Sequence, residues 1–216
     1  MPAVQSLFAV PYALSKHPAP GPLNARLREL FLAREAEGDR HANPSPLVGR
    51  NDQVFESRFD LFAWPDDCVQ ELKKFCWREL YHTIGELNGY DLPTLTRMHI
   101  ADSTWFHVTR RGGYFPAHLH PMASWSGVYC VSPGQAVPGN ARSGALQFHN
   151  PNATSQMFVD TSVLHMREPH DRSSRSFQLE AGQLVLFPSW LMHEVLPYEG
   201  DGERITVAFN TWFKMT

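Results

Sequence analysis

The chain has 216 residues, of which 43% are hydrophobic, so it is long enough to bury one substantial core. It carries 19 basic and 22 acidic residues, for a formal net charge of −3, and no long run of either sign. This balance argues against a basic surface for nucleic acid or for an anionic membrane, and it favours a small-molecule or protein substrate as the partner. No apolar run approaches the roughly 20 residues that a membrane helix needs.

The cysteines indicate where the protein works. Cys68, Cys76 and Cys130 are an odd number and form no CxxC motif, and the chain does not open with a basic segment followed by an apolar core. We therefore expect a cytoplasmic protein with reduced thiols.

Helical periodicity is confined to the first 90 residues. Gly21-Pro22 opens one amphipathic segment and Pro65-Asp66 opens a second. Their apolar faces consist of Leu23, Leu27, Leu30 and Phe31 in the first, and of Val69, Leu72, Cys76, Leu80, Ile84 and Leu87 in the second. Between them, residues 38–53 (GDRHANPSPLVGRNDQ) are polar and rich in turn formers, which predicts an exposed loop.

From about position 96 the apolar period changes to two. The predicted strands are TWFHV, SWSGVYCV, GALQFH, SQMFV, SFQL, QLVLF, HEVL and RITVAFNTWF, separated by Gly, Pro, Asn and Asp clusters. Because the helices precede the strands instead of alternating with them, we expect helices packed outside one curved sheet. The prediction is a mainly β protein with N-terminal helices, folded as a jelly-roll barrel. Residues 1–216 would form a single domain, with a helical and loop flank (1–95) and a β core (96–216).

The last predicted strand has two different faces. Ile205, Val207 and Phe209 alternate with Arg204, Thr206 and Asn210, so an arginine, a hydroxyl and an amide share one side. Inside a barrel these groups would need a polar partner, because buried polar atoms without partners are costly. The alternative is a solvated face on a half-exposed strand.

Three histidines flank the same region. His118-Leu119-His120 precedes an apolar strand, although so short a motif has little specificity by itself. His193 lies 11 residues before Arg204 (204 − 193 = 11), and a Gly200-Asp201-Gly202 turn between them predicts a hairpin.

The order of these motifs resembles the signature of the 2-oxoglutarate and Fe(II)-dependent oxygenases, which are built on a double-stranded β-helix. More narrowly, HLHPMASWSGVYCV, GALQFHNP, GQLVLFPSWLMHEVLP and RITVAFNTW are similar to an uncharacterised family of bacterial and phage proteins assigned to this class. The similarity spans about positions 97 to 213. It implies an enzyme that couples oxidative decarboxylation of 2-oxoglutarate to the oxidation of a substrate, by hydroxylation in our interpretation.

The resemblance also implies roles for individual residues. His118 falls at the first ligand position, His193 at the distal histidine, and Arg204 with Thr206 where the distal carboxylate of 2-oxoglutarate is bound. His120 stands where the family usually has a carboxylate, which is a departure from its pattern. Imidazoles suit Fe(II), and three ligands on one side leave positions open for a chelating co-substrate and O₂. The arginine offers a planar fork of donors that matches a carboxylate.

Several further residues are candidates in the same site. Tyr129 and Asn210 are predicted to bind the co-substrate, with core packing as the alternative for Tyr129. His107 is a candidate for orienting a metal ligand or 2-oxoglutarate. Pro121 restricts His120 to extended conformations, which favours its role as a ligand.

Other interpretations of the same residues remain open. His118 and His120 could be surface loop residues, His193 an ordinary rim histidine, and Arg204 a charge at a hairpin edge. At the level of function, one rival is a cupin-like dioxygenase with three histidines and no 2-oxoglutarate. A second rival is a β-sandwich binding module whose histidines hold zinc, which has no redox chemistry.

Overall fold

The computed structural model describes residues 3–46 and 48–216, which form two antiparallel sheets with helices on one side. The helices are α1 (Pro20–Ala36), α2 (Asp67–Asn88) and α3 (Leu92–Thr96). The strands are β1 (Ala13–Lys16), β2 (Val54–Glu56), β3 (Met98–Thr109), β4 (Phe115–His118), β5 (Trp125–Ser132), β6 (Leu146–Phe148), β7 (Arg175–Phe177), β8 (Gln183–Pro188), β9 (His193–Val195) and β10 (Arg204–Met215). In the described part of the chain, no helix combines the length and the apolar character that crossing a bilayer requires.

Both predicted helices are confirmed. In α1, Leu23, Leu27 and Phe31 recur at helical spacing and are buried. Helix α2 ends at Asn88 because Gly89 adopts a left-handed conformation (φ 66°), which costs glycine little. Leu87, predicted on the buried face of α2, is 50% exposed because it lies in the last turn.

The large sheet has the strand order β1-β8-β5-β10-β3-β2. Its two edge strands come from the N-terminal flank, where the sequence predicts only helix and loop. They were missed because β1 has four residues and β2 has three, too few to show a period of two. The long central strand β10 pairs with β3 on one side and with β5 on the other.

The small sheet has the order β4-β9-β6-β7. The predicted strand SQMFV is wrong, because its first residues form a 3-10 turn and Met157 and Phe158 are exposed with no strand beside them. Conversely, β4 was not predicted, although it ends at His118.

Two apolar clusters hold the layers together. One lies between α1, α2 and the large sheet, and the other lies between the two sheets. Strand β10 is therefore covered on both faces, with Ile205, Val207 and Phe209 packed in the first cluster. The mainly β architecture with N-terminal helices confirms the predicted fold class. Among the described strands, the hydrogen bonds form two sheets and do not close one continuous ring.

Candidate metal centre

Strands β4 and β9 bring two of the three candidate histidines together. His118 at the end of β4 lies directly opposite His193 at the start of β9 in the antiparallel register. His120 follows two residues after β4, and its backbone N–H donates to the carbonyl oxygen of Ser189, 2.9 Å away. The potential ligand nitrogens of the three side chains all lie within 4.8 Å of one another. They are close enough to share one metal ion.

Backbone carbonyls orient two of the three imidazoles. Nδ1 of His118 lies 2.7 Å from the carbonyl oxygen of Pro116, and Nδ1 of His193 lies 2.8 Å from that of Leu191. A carbonyl oxygen only accepts hydrogen bonds, so each Nδ1 carries the proton. The Nε2 lone pair of both rings is consequently available to a metal, as in most protein metal sites with histidine ligands.

The three imidazoles are neutral at physiological pH. Burial lowers the pKa of His118, and burial followed by the proximity of His118 lowers the pKa of His120 to about 4. The pKa of His193 falls to about 3, mainly through burial and then through its proximity to His118. Metal ligands must be deprotonated, so this environment suits metal binding.

Strand β10 supplies the polar wall of the same cavity. Arg204, Thr206 and Asn210 all line it, together with the three histidines. The Arg204 side chain is only 5% exposed, and burial lowers the pKa of its guanidinium. Within residues 3–46 and 48–216, no carboxylate pairs with this guanidinium. A buried arginine without an acidic partner is costly unless an anion binds to it.

Asn210 and Tyr129 have different environments. Asn210 accepts a hydrogen bond from the Ser126 hydroxyl (2.6 Å), and its amide nitrogen makes no hydrogen bond to the described residues. Tyr129 is fully buried between the large sheet and the helices, where its hydroxyl donates to Oδ1 of Asn24 at 2.8 Å. It does not appear among the residues that line the cavity. The structure thus brings Asn210 to the site and places Tyr129 in the core.

Sequence reasoning missed one acidic residue of the cavity. Glu56, at the end of β2, is 6% exposed, and its Oε2 lies 3.0 Å from Nε2 of His107. Asn43 and Arg50 contact its other oxygen at 2.7 and 3.1 Å, so residues 38–53 are not simply the exposed loop that was predicted. Leu47 of that segment lies outside the described residues. No local pattern signals Glu56, because its partner His107 is 51 residues away in the sequence.

The cavity lies mainly between the two sheets and contains about 620 Å³ of space free of protein atoms, part of it open to solvent. Its apolar walls include Phe115, Leu146 and Phe187, while the histidines, Arg204 and Thr206 supply the polar groups. A few polar groups in a largely apolar cavity are typical of a small-molecule site. Neutral imidazoles with free Nε2 atoms fit a divalent metal such as Fe(II), and the unpaired arginine fits a carboxylate.

Comparisons with known proteins give a consistent assignment. A family model described as "Putative 2OG-Fe(II) oxygenase" matches residues 103–210, half of the 216 residues. No curated protein is similar enough to count as a match.

Solved structures share the fold. A prolyl-4-hydroxylase from Pseudomonas putida is 18% identical with a TM-score of 0.59, and the match covers 96% of this chain and 94% of that one. The alpha ketoglutarate dependent carbocyclase SnoK from nogalamycin biosynthesis is 12% identical with a TM-score of 0.61, covering 94% and 79%. A Trichoplax adhaerens prolyl hydroxylase, solved with a peptide fragment of hypoxia inducible factor, is 12% identical with a TM-score of 0.57, covering 93% and 83%. At these identities the likeness shows the fold alone, a double-stranded β-helix, as predicted.

Proposed function

This chain belongs to the 2OG-Fe(II) oxygenase family, and from that premise we propose that His118, His120 and His193 hold its metal while Arg204 and Thr206 bind its co-substrate. The metal of this family is Fe(II) and the co-substrate is 2-oxoglutarate, so the predicted enzyme class and cofactors are confirmed. The family assignment does not specify which residues do this work. Their roles are our proposal.

The observation that carries the proposal is the buried Arg204 in the same cavity as the three neutral imidazoles. 2-Oxoglutarate has a 2-oxo acid group at one end, which chelates metals, and a carboxylate at the other. Arg204 can donate two hydrogen bonds to that distal carboxylate, and the Thr206 hydroxyl can donate a third. In this proposal the co-substrate lies between β10 and the histidines.

The protein residues then bind the metal, orient the co-substrate and limit the access of water. Bound Fe(II), with 2-oxoglutarate as the reductant, supplies the O₂ chemistry that side chains cannot perform. The three imidazoles fix the metal on one side, Arg204 sets the orientation of the co-substrate, and the apolar walls limit the access of water. We propose that one oxygen atom of O₂ hydroxylates the substrate and the other enters succinate, while 2-oxoglutarate loses its 1-carboxylate as CO₂.

The donor amide of Asn210 supports a role in the same cavity, as a contact for the co-substrate or the substrate. Tyr129 is not retained as a co-substrate residue, because its hydroxyl is occupied by Asn24. We propose that the substrate is a small molecule or a polypeptide, and that nucleic acid is not a partner.

We further propose a single domain over residues 1–216. The support is that β1 and β2, from the flank 1–95, are strands of the same sheet as β3, β5, β8 and β10 of the core 96–216. A cytoplasmic location is proposed on the three cysteines, which are buried and unpaired.

Succinate formation tests the proposed function. Under air, with ascorbate supplying the two electrons that the substrate would otherwise provide, the Fe(II)-loaded protein is expected to convert 2-oxoglutarate slowly to succinate and CO₂. Variants His118→Ala and His193→Ala should lose both metal binding and turnover, whereas His170→Ala, a change in an exposed loop, should lose neither. Full metal occupancy in a protein that carries both site substitutions would contradict the ligand assignment. Metal-dependent O₂ consumption without succinate would favour the cupin-like alternative.

A further inference from the structure

A buried pair of titratable side chains, His107 and Glu56, lines the cavity. The sequence suggests an orienting role for His107, but neither residue belongs to the proposed metal site or to the proposed contacts of Arg204 and Thr206. Nε2 of His107 lies 3.0 Å from Oε2 of Glu56, and both residues are less than 10% exposed. The imidazole also packs against the ring of Phe115, with ring centroids 4.5 Å apart. The pair is therefore held in place by the protein before any ligand arrives.

Glu56 is fixed as an anion. Burial alone would raise its pKa, but hydrogen bonds from His107 and Asn43 and the charge of Arg50 outweigh burial, so the pKa is lowered. The indole N–H of Trp105 also lies 3.0 Å from Nε2 of His107. Nε2 of His107 cannot satisfy both neighbours, because the Glu56 carboxylate requires a hydrogen-bond donor and the Trp105 indole requires an acceptor. The charge-assisted bond to Glu56 is the stronger, so Nε2 carries the proton.

The strand register places His107 beside the proposed site for the distal carboxylate. His107 on β3 is directly opposite Thr206 on β10, and Thr109 is opposite Arg204. Side chains of directly opposed residues lie on the same face, with Cβ atoms about 4.5–5.5 Å apart. His107 is thus the direct cross-strand neighbour of Thr206 and a diagonal neighbour of Arg204 on the same face. Its Nδ1 makes no hydrogen bond within the described part of the chain.

We propose that His107 is a further binding residue for the distal carboxylate of 2-oxoglutarate, and that Glu56 is the residue that positions it. This inference rests on the proposed function. A protonated imidazole between Glu56 and the ligand donates Nε2–H to one carboxylate and Nδ1–H to the other. Without the ligand, burial lowers the pKa of His107 more than Glu56 raises it, and the charges of Arg204 and Arg50 lower it further. The imidazole therefore takes up its second proton together with the dianionic ligand, because an adjacent anion stabilises a cation. Asn43 and Arg50 hold Glu56, so these two residues contribute indirectly to co-substrate recognition.

The inference makes a prediction about selectivity. The compound 2-oxopentanoate has the length and the chelating end of 2-oxoglutarate but lacks the distal carboxylate. In the Ni(II)-loaded protein, which binds without turnover, His107→Phe should weaken 2-oxoglutarate binding about tenfold or more, since the lost bond is charge-assisted. Binding of 2-oxopentanoate should stay within about threefold of the wild-type value. Phenylalanine retains the ring contact with Phe115, so a general loss of packing is avoided.

Matched variants complete the experiment. Glu56→Gln should reduce the preference for 2-oxoglutarate in the same direction, and Arg204→Lys should reduce it as well. His99→Phe, the same substitution at an exposed position of β3, should leave both dissociation constants unchanged. Dissociation constants from calorimetry for both ligands provide the readout. Should His107→Phe fail to fold, Glu56→Gln decides the matter with the same two ligands.

Two failures are distinguishable. If the wild-type protein does not bind 2-oxoglutarate, or does not prefer it to 2-oxopentanoate, the proposed function fails. If the wild type shows that preference and His107→Phe or Glu56→Gln retains it in full, only the assignment of His107 and Glu56 is overturned.

Discussion

Arg204 is both buried and positively charged in the ligand-free protein, a combination that lowers stability. It is buried at 5% exposure, and no carboxylate of the described chain compensates its charge. A residue selected for stability alone would not be an unpaired guanidinium, because desolvating a charge is costly. The arginine therefore indicates that an anion occupies this position during function.

This argument predicts opposite effects of one substitution on stability and on binding. Arg204→Met should raise the free energy of unfolding of the ligand-free protein by about 1 kcal/mol or more, because a buried charge is replaced by an apolar side chain. The same variant should bind 2-oxoglutarate at least about tenfold more weakly, since charge-assisted hydrogen bonds are lost. Denaturant titration and calorimetry measure the two effects. A variant that is less stable and binds normally would assign Arg204 to the structure instead of the site.

Replacing Arg204 by lysine separates charge from geometry. Lysine retains the positive charge but not the planar fork, so Arg204→Lys should bind 2-oxoglutarate with an affinity between those of wild type and Arg204→Met. Equal dissociation constants for wild type and both variants would remove Arg204 from the co-substrate site.

At the scale of elements, the two faces of β10 explain why the sequence could group three candidate residues on one side. Alternation alone separates Arg204, Thr206 and Asn210 from the three apolar residues Ile205, Val207 and Phe209. The structure places the first set in the cavity and packs the second in the helix-facing core, although Phe209 also reaches the cavity wall. The same rule cannot say which face of β5 meets the helices, so Tyr129 was a candidate for either side. The sequence could not identify Glu56 as a residue of the cavity, because only the pairing of β2 with β3 brings it to His107.

The placement of Tyr129 leads to a prediction that discriminates between core and site. Tyr129→Phe removes the donor to Oδ1 of buried Asn24 and should lower the free energy of unfolding by about 1–3 kcal/mol. Binding of 2-oxoglutarate should change by less than about twofold, because the hydroxyl points to the helices and not to the cavity. Chemical denaturation and ligand titration test the two statements. A marked loss of 2-oxoglutarate affinity without a loss of stability would restore Tyr129 to the co-substrate site.

For the whole molecule, the proposed three-histidine metal site predicts that the binding of metal and the binding of co-substrate depend on each other. Three neutral imidazoles leave the full charge of Fe(II) in a cavity that already contains the cationic Arg204. The dianionic 2-oxoglutarate brings one carboxylate to each of these two cations. Any increase in metal affinity caused by 2-oxoglutarate must equal the increase in 2-oxoglutarate affinity caused by the metal. Thermal stability reports this coupling, because each ligand stabilises the folded state according to its concentration and dissociation constant.

The last prediction concerns His120, where the family usually has a carboxylate. In the absence of O₂, Fe(II) and 2-oxoglutarate together should raise the melting temperature by more than the sum of their separate effects.

His120→Asp supplies one negative charge, so it should tighten Fe(II) binding without 2-oxoglutarate and reduce the coupling. His120→Ala should weaken Fe(II) binding under both conditions, because one ligand is lost, while the exposed His170→Ala should match the wild type. If His120→Ala binds Fe(II) as tightly as the wild type with and without 2-oxoglutarate, His120 is not a ligand, and the metal is held by His118 and His193 with a position left for water or a halide.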